Sequence, residues 1–348
     1  MRSVICVHER FDAVWPFAAD YWQKRWQSDC CELYRTLEPE ARAPHLVPDP
    51  AAVQRLVLLG LPAGSEDLAP FTSLEECFHS SHGDHPRDGL EEAASRGIHI
   101  IPHRVDIYWG QSVAEYGLCL TLCGLRRIPQ AHTAMIESYE PWRHGPDVGR
   151  PGGKGIQYAD DSRFANGTLA GKRVRVVGAG NIGARYASWC TAMGADVAIW
   201  DPFAPDATFA AAGARRCFHL PELVKDAEIF VPMLPLKEDT LGLVGKDLID
   251  ALPHGCLVVQ VTRARICDTE ALYQRVLKDE LALAADVFDV EPVSLDSPLL
   301  GRHNVVHTPH NAGRTKDANL AWVDDQIGRF RPRPLELAVG SGREQEER

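Results

Sequence analysis

The hexapeptide Gly178-Ala179-Gly180-Asn181-Ile182-Gly183 constrains this chain more than any other stretch. It follows the β-branched run Val174–Val177 directly and opens a helical pattern that ends near Met193 and Gly194. Glycines at that spacing permit a tight turn and a close approach of backbone to a pyrophosphate, and the helix amino terminus supplies aligned N–H groups at the positive end of its dipole. Asp201 stands 18 residues after Gly183, where the second strand should end. A carboxylate there accepts hydrogen bonds from an adenosine ribose and repels a 2′-phosphate. Pro202 and Phe203 bring no Arg to offset it. The cofactor expected is NAD rather than NADP.

Downstream of Val174, short β-branched runs alternate with helical patterns, as in a parallel sheet wrapped by helices. The sequence predicts six strands: Val174–Val177, Val197–Trp200, Ile229–Val231, Leu257–Val261, Leu283–Asp286 and Val305–His307. Upstream, Ser112–Tyr139 reads as one long, largely buried helix that could enter this domain. Five glycines and two prolines between Arg143 and Asp161 mark a long loop. The first 109 residues are less legible, with a strand at Val4–Val7, an aromatic helical stretch from Trp15 to Trp26 and an apolar run from Val53 to Gly60.

A length of 348 residues fits about two domains. The formal charge of -11 disfavours nucleic acid as a partner, because phosphates would be repelled. No apolar stretch approaches a membrane helix, and the amino terminus reads as lacking a signal peptide, so a cytoplasmic chain with reduced cysteines is expected. Cys119 and Cys123, four apart in an apolar helical pattern, are expected to pack. His79, His82 and His85 lie near Cys77, but that spacing fits no common zinc pattern, and no metal is expected.

Seven strings, the glycine turn among them, make the chain resemble the D-isomer-specific 2-hydroxyacid dehydrogenase family over about Ser80 to Arg314. They are VAE at Val113–Glu115, VGAGNIG at Val177–Gly183, WDP at Trp200–Pro202, LPL at Leu234–Leu236, VTRARICD at Val261–Asp268, ADVFDVEP at Ala285–Pro292 and TPHNAG at Thr308–Gly313. In that family an Arg lies five residues before a helix-starting Asp, which matches Arg263 before Asp268, with Arg265 as the competitor. The resemblance assigns the remaining catalytic pair to Glu291 and His310. These types make chemical sense together. Histidine moves a proton near neutral pH, a Glu on its far ring nitrogen orients it and stabilises imidazolium, and Arg grips a planar carboxylate with a fork of donors.

The resemblance extends the cofactor contacts from Gly178, Gly180, Asn181, Ile182, Gly183 and Asp201 to Pro235, Thr240, Thr262, Asp286 and His310. Asp286 would meet the nicotinamide carboxamide, with burial at a strand end as its alternative. Substrate contacts fall on Ser81, His82, Gly83 and Arg263. Two departures stand out: Gln260 and Ala264 replace the usual Asn and Gly around the Arg, and Ser80–Asp84 lacks the usual Gly-x-Gly turn.

What the resemblance implies is an α/β chain of two domains. One is a Rossmann-type doubly wound parallel sheet at 110–308; the other is a discontinuous flavodoxin-like substrate domain formed by 1–109 and 309–348. It also implies a homodimer built on the helix after the VAE string, here Ser112–Arg127, and leaves no room for a regulatory domain after a helix near Phe330. The implied activity is NAD-dependent interconversion of a 2-hydroxy acid and its 2-keto acid. The Ser80–Gly83 loop, with Arg150 and Lys154, suggests a substrate with a second polar or anionic group, such as hydroxypyruvate or a phosphorylated or phosphonate acid. Formate oxidation is disfavoured because those relatives carry Gln where Glu291 stands. The rival from another class is an NAD-sensing interaction protein of the corepressor type, which a turnover assay would separate.

Overall fold

Strand β6, Arg173–Val177, is buried on both faces beyond Arg173, and that property explains the architecture around it. Val174 and Val176 point into one apolar cluster and Val177 into a second. The alternation repeats on β9 (Ile229–Pro232), β10 (Leu257–Gln260) and β11 (Ala282–Ala285), so each strand feeds two cores. A sheet buried on both sides must be covered by helices on both sides, which parallel crossovers provide. With β7 (Asp196–Trp200), β8 (Arg215–Cys217) and β12 (Val305–His307), these form a seven-stranded parallel sheet in the order β12-β11-β10-β9-β6-β7-β8.

The computed structural model describes residues 2–26, 31–80, 86–103, 108–142, 158 and 160–331. By internal packing the chain divides into two units, Met1–Arg104 with Asn319–Arg348, and Val105–Ala318. The first unit holds a five-stranded parallel sheet of β1 (Arg2–His8), β2 (Cys31–Thr36), β3 (Val53–Leu59), β4 (Glu76–Ser80) and β5 (His99–Ile101), in the order β2-β1-β3-β4-β5. That is the flavodoxin-like strand order, and the larger sheet has the Rossmann order with an added edge strand. The chain is α/β throughout.

Two expectations need correction. The larger sheet has seven strands where the sequence predicts six. The extra one, β8, is the three-residue edge strand Arg-Arg-Cys, which pairs with β7 and has no apolar alternation to reveal it. The predicted Ser112–Tyr139 helix is two helices, Trp109–Arg126 and Ile128–Glu137. Arg127 between them has φ 52°, and Pro129 falls in the first turn of the second helix, where its ring and missing N–H cannot continue the first. Only the first is buried, through Gly110, Val113, Ala114, Gly117, Leu120, Thr121 and Leu125; the second buries no residue. Cys119 on the first helix is exposed rather than packed, and Cys123 is half-buried.

Chain order positions the site. The sheet reverses direction of growth between β6 and β9, and in such sheets ligands bind beyond the carboxyl ends of the strands at that point. The glycine turn follows β6, Asp201 follows β7, Pro235 follows β9, Thr262 and Arg263 follow β10, Asp286 follows β11, and Thr308–His310 follow β12.

Candidate active site

The helix Asn181–Ala192 buries Gly183, Tyr186, Ala187 and Cys190, a spacing of three and four that lays one face on the sheet. This close packing explains two glycines. A Cβ on Gly183 would stand 2.1 Å from the Gly178 carbonyl oxygen, and Gly178 itself has φ 102°, with a Cβ there striking Leu234 and the Met233 carbonyl at 2.7 Å. Gly180 differs: it caps the helix, and nothing lies within 4 Å of where its Cβ would be. No side chain caps this helix, and the first N–H groups of a helix have no intrahelical acceptor, the arrangement that suits a pyrophosphate. Asn181 and Ile182 open the helix, Ile182 half-buried against the core and Asn181 against Gly110.

Asp201 braces this turn. Its Oδ2 accepts from Ala179 N at 2.8 Å, and its Oδ1 accepts from Phe203 N at 2.8 Å and Ala204 N at 3.0 Å. Arg216, on the missed strand β8, donates to the Asp201 carbonyl at 3.5 Å and pairs with Asp206. Beyond β9, Thr240 Oγ1 donates to Pro235 O at 2.6 Å and closes an exposed loop; Thr262 is buried and donates to Pro232 O at 3.2 Å.

The next two strands bring Glu291 and His310 together across 19 residues of sequence. Nδ1 of His310 lies 2.6 Å from Oε2 of Glu291, whose Oε1 accepts from Phe288 N at 2.8 Å. An ionised carboxylate only accepts, so in this contact Nδ1 is the donor. The pair is not sealed in a core. The side chains are 43% and 34% exposed, beside a cavity of about 380 Å³ walled by Phe288, Pro292, Val293, Leu300 and His307.

His310 has φ 53°, and fully buried Asp286 holds the turn around it. One Asp286 oxygen accepts from Thr308 Oγ1 at 2.7 Å and Asn311 N at 3.1 Å; the other accepts from Ala312 N at 2.8 Å. The Asp286 carboxylate is thus buried at the strand end. Ser112 Oγ adds a bond to Ala312 O at 2.5 Å, so the VAE helix also grips the turn.

Arg263 is exposed at the end of β10, with Nη1 donating to its neighbour Thr262 O at 2.6 Å. Arg265 is exposed too, and its carbonyl accepts from Gly242 N at 2.9 Å. Asp268 does start a helix, its Oδ1 accepting from Ala271 N at 3.0 Å. Buried Gln260 donates from Nε2 to the Ala264 backbone carbonyl at 3.4 Å.

Residue-by-residue matching passes over two side chains here. Arg314, four residues beyond His310, lies over the Trp109 ring at 5.6 Å. Burial first, and the Arg263 charge second, lower its pKa from the usual guanidinium value. A charged residue closing the otherwise uncharged string Thr308–Gly313 is the signal that could have found it. The proposed substrate contacts Ser81, His82 and Gly83, together with His85, Arg150 and Lys154, lie outside the described residues. His79 is buried, its Nε2 at 2.9 Å from Leu61 O.

Comparison with known proteins gives this geometry its family. The family model described as D-isomer specific 2-hydroxyacid dehydrogenase, NAD binding domain, matches residues 121–312. D-3-phosphoglycerate dehydrogenase from Archaeoglobus fulgidus is 31% identical over 210 residues, 60% of this chain and 36% of that protein. Hydroxypyruvate reductase from Thermotoga maritima is 31% identical over 232 residues, 66% of this chain and 68% of that protein. Among solved structures, a D-lactate dehydrogenase from Treponema pallidum superposes with a TM-score of 0.67 at 19% identity, covering 94% of this chain and 95% of that one, a likeness of fold.

The chain belongs to the D-isomer specific 2-hydroxyacid dehydrogenase family, and its cofactor is NAD. Its matched region spans well under half the length of the Archaeoglobus phosphoglycerate dehydrogenase.

Proposed function

We propose that this chain interconverts a D-2-hydroxy acid and the corresponding 2-keto acid. The observation that carries the reading is the His310–Glu291 contact of 2.6 Å, made at the carboxyl end of a sheet built for a dinucleotide. NAD, when bound, supplies the hydride acceptor or donor. Gly178, Gly180 and Gly183 seat its pyrophosphate at the helix opened by Asn181 and Ile182, Asp201 takes the ribose, and Pro235, Thr240 and Thr262 line the strand ends toward the nicotinamide.

Arg263 binds the substrate carboxylate through its fork of donors and polarises the neighbouring oxygen. His310 Nε2 takes the hydroxyl proton in oxidation and returns it in reduction, while Glu291 keeps Nδ1 protonated and offsets the positive ring. Asp286 positions the turn that carries His310. The unit made of the chain's two ends is the substrate-binding domain, with Ser81, His82 and Gly83 as contacts, and the substrate carries a second polar or anionic group.

The partners in this reading are a small acid and a second copy of the chain, with neither nucleic acid nor membrane. The Trp109–Arg126 helix and its successor are the dimer contact, supported by the exposed Ile128, Met135 and Ile136 at 51%, 53% and 76%. Among the described residues no helix is long and apolar enough to cross a membrane. Free thiols at the described cysteines fit a cytoplasmic, reducing compartment.

The test is NADH oxidation by the purified chain against a panel of 2-keto acids, including hydroxypyruvate, pyruvate, oxaloacetate and phosphonopyruvate. Turnover of one or more is expected. A chain that binds NADH and reduces none of them would overturn the reading.

A further inference from the structure

We propose that the cavity beside His310 receives the side chain of the substrate, and that it selects 2-keto acids whose side chain is apolar along its length and ends in a neutral hydrogen-bonding group met by His307. The inference rests on the dehydrogenase reading above and specifies its substrate class.

Shared walls are the first argument. Glu291 and His310 line the same cavity of about 380 Å³ as Phe288, Val293, Leu300 and His307. In the dehydrogenase reading His310 meets the reacting hydroxyl, so the carbons beyond that hydroxyl have this space within reach. Its volume is that of a small-molecule site. The methyl group of pyruvate would leave most of it to water, whereas an aryl or long alkyl side chain would bury apolar surface against Phe288, Val293 and Leu300.

Charge is the second. Among the described residues that line the cavity, the one fixed charge is the Glu291 carboxylate, and neither Lys nor Arg is present. A second carboxylate or a phosphonate placed here would lose water, face Glu291 and find no cation to offset either cost. A neutral hydroxyl needs only a hydrogen-bond partner.

His307 supplies that partner. It ends β12 three residues before His310, so their Cα atoms stand at most about 11 Å apart, a span that one aryl side chain bridges. Gly301 N donates to His307 Nε2 at 3.3 Å. A ring nitrogen that accepts carries no proton, so a neutral His307 has its N–H at Nδ1. The same contact ties the ring to the segment that brings Leu300 to the wall.

The experiment measures kcat/KM with NADH for pyruvate, oxaloacetate, phenylpyruvate and para-hydroxyphenylpyruvate, in the wild type, His307→Phe, His307→Gln and Val293→Trp. NADH titration verifies that each variant is folded. The wild type is expected to prefer para-hydroxyphenylpyruvate over pyruvate and oxaloacetate by about tenfold or more, and over phenylpyruvate by about fivefold. His307→Phe should abolish the preference between the two aryl acids, and His307→Gln, which keeps a donor, should retain part of it. Val293→Trp fills the cavity and should lower the ratio of either aryl acid to pyruvate by about tenfold, mainly through KM.

A wild type that prefers pyruvate or oxaloacetate, or an aryl-to-pyruvate ratio unchanged in Val293→Trp, would overturn the pocket and leave the dehydrogenase reading intact. An aryl preference unchanged in His307→Phe would overturn the role of His307; where one variant fails to fold, the wild-type preferences and the other variant decide. Should no acid be turned over, that reading fails, and the cavity is judged by equilibrium binding of para-hydroxyphenylpyruvate to the NADH complex. Binding that is lost in Val293→Trp would uphold it; binding that is absent, or equal in wild type and variant, would overturn it.

Discussion

His310 occupies a left-handed backbone angle, φ 53°, that β-branched side chains resist and that Asn and His tolerate. This makes His310→Asn an informative replacement, because it keeps the turn and removes the proton carrier. Turnover should fall by about 10² to 10⁴ while NADH affinity changes little, since the glycine turn and Asp201 are untouched. Steady-state rates beside an NADH fluorescence titration check both halves; undiminished turnover would remove the mechanism. At the end of β10 the two arginines are expected to separate on substitution. Arg263→Lys loses the bidentate grip and should lose about a hundredfold or more in kcat/KM, whereas Arg265→Lys should stay active. The reverse result would move the carboxylate anchor to Arg265.

Among the elements, the connection between β11 and the turn after β12 matters most for chemistry. Asp286 stands at that junction, its N–H donating to Gln260 O at 2.8 Å and its buried carboxylate receiving three donors from 308–312. Asp286→Asn puts an amide N–H₂ where an oxygen accepted, so one of those donors loses its partner at a buried position. A stability loss of about 1–3 kcal/mol is expected, with kcat reduced as the His310 turn loosens. NADH affinity should hold. A large loss of NADH affinity at unchanged stability would instead assign Asp286 to the cofactor.

The carboxyl end of the chain completes the first unit. The helix Lys316–Ile327 brings Trp322, fully buried, among Trp15, Trp22 and Phe78 of the first unit, with ring centroids at 4.4, 5.8 and 5.8 Å. Just beyond it, Arg331 N donates to Glu76 Oε1 at 2.8 Å, while Glu76 also takes Arg55 Nε at 2.7 Å and His99 Nδ1 at 3.2 Å. Burial pushes the Glu76 carboxyl up, but Arg331 N–H, His99 and Arg55 outweigh it, and its pKa ends below the ordinary glutamate value. A folded-state pKa below the unfolded one means stability present above the unfolded pKa and lost as pH falls through the folded one. Urea midpoints measured from about pH 6 to pH 3 should therefore drop more steeply in the wild type than in Glu76→Gln. Equal slopes would show that this clasp carries no pH dependence.

The sequence by itself determined six strands of the sheet that binds the cofactor, its glycine turn and Asp201, because these depend on local rules: short apolar, β-branched runs, a positive φ at Gly178, and the missing Cβ of Gly180. Resemblance along the chain also picked out Arg263, Glu291 and His310. Their meeting is another matter. Only folding brings Glu291 and His310 within 2.6 Å, because β11 and β12 lie side by side and Asp286 bends the second toward the first. Short polar β8 and the break at Arg127 escaped for the same reason. Edge pairing and a proline-started second helix are decided by neighbours, and no period in the sequence records them. The pairing of Arg314 with Trp109 spans 205 positions and leaves no local trace; only the packing of the first helix against the His310 turn decided it.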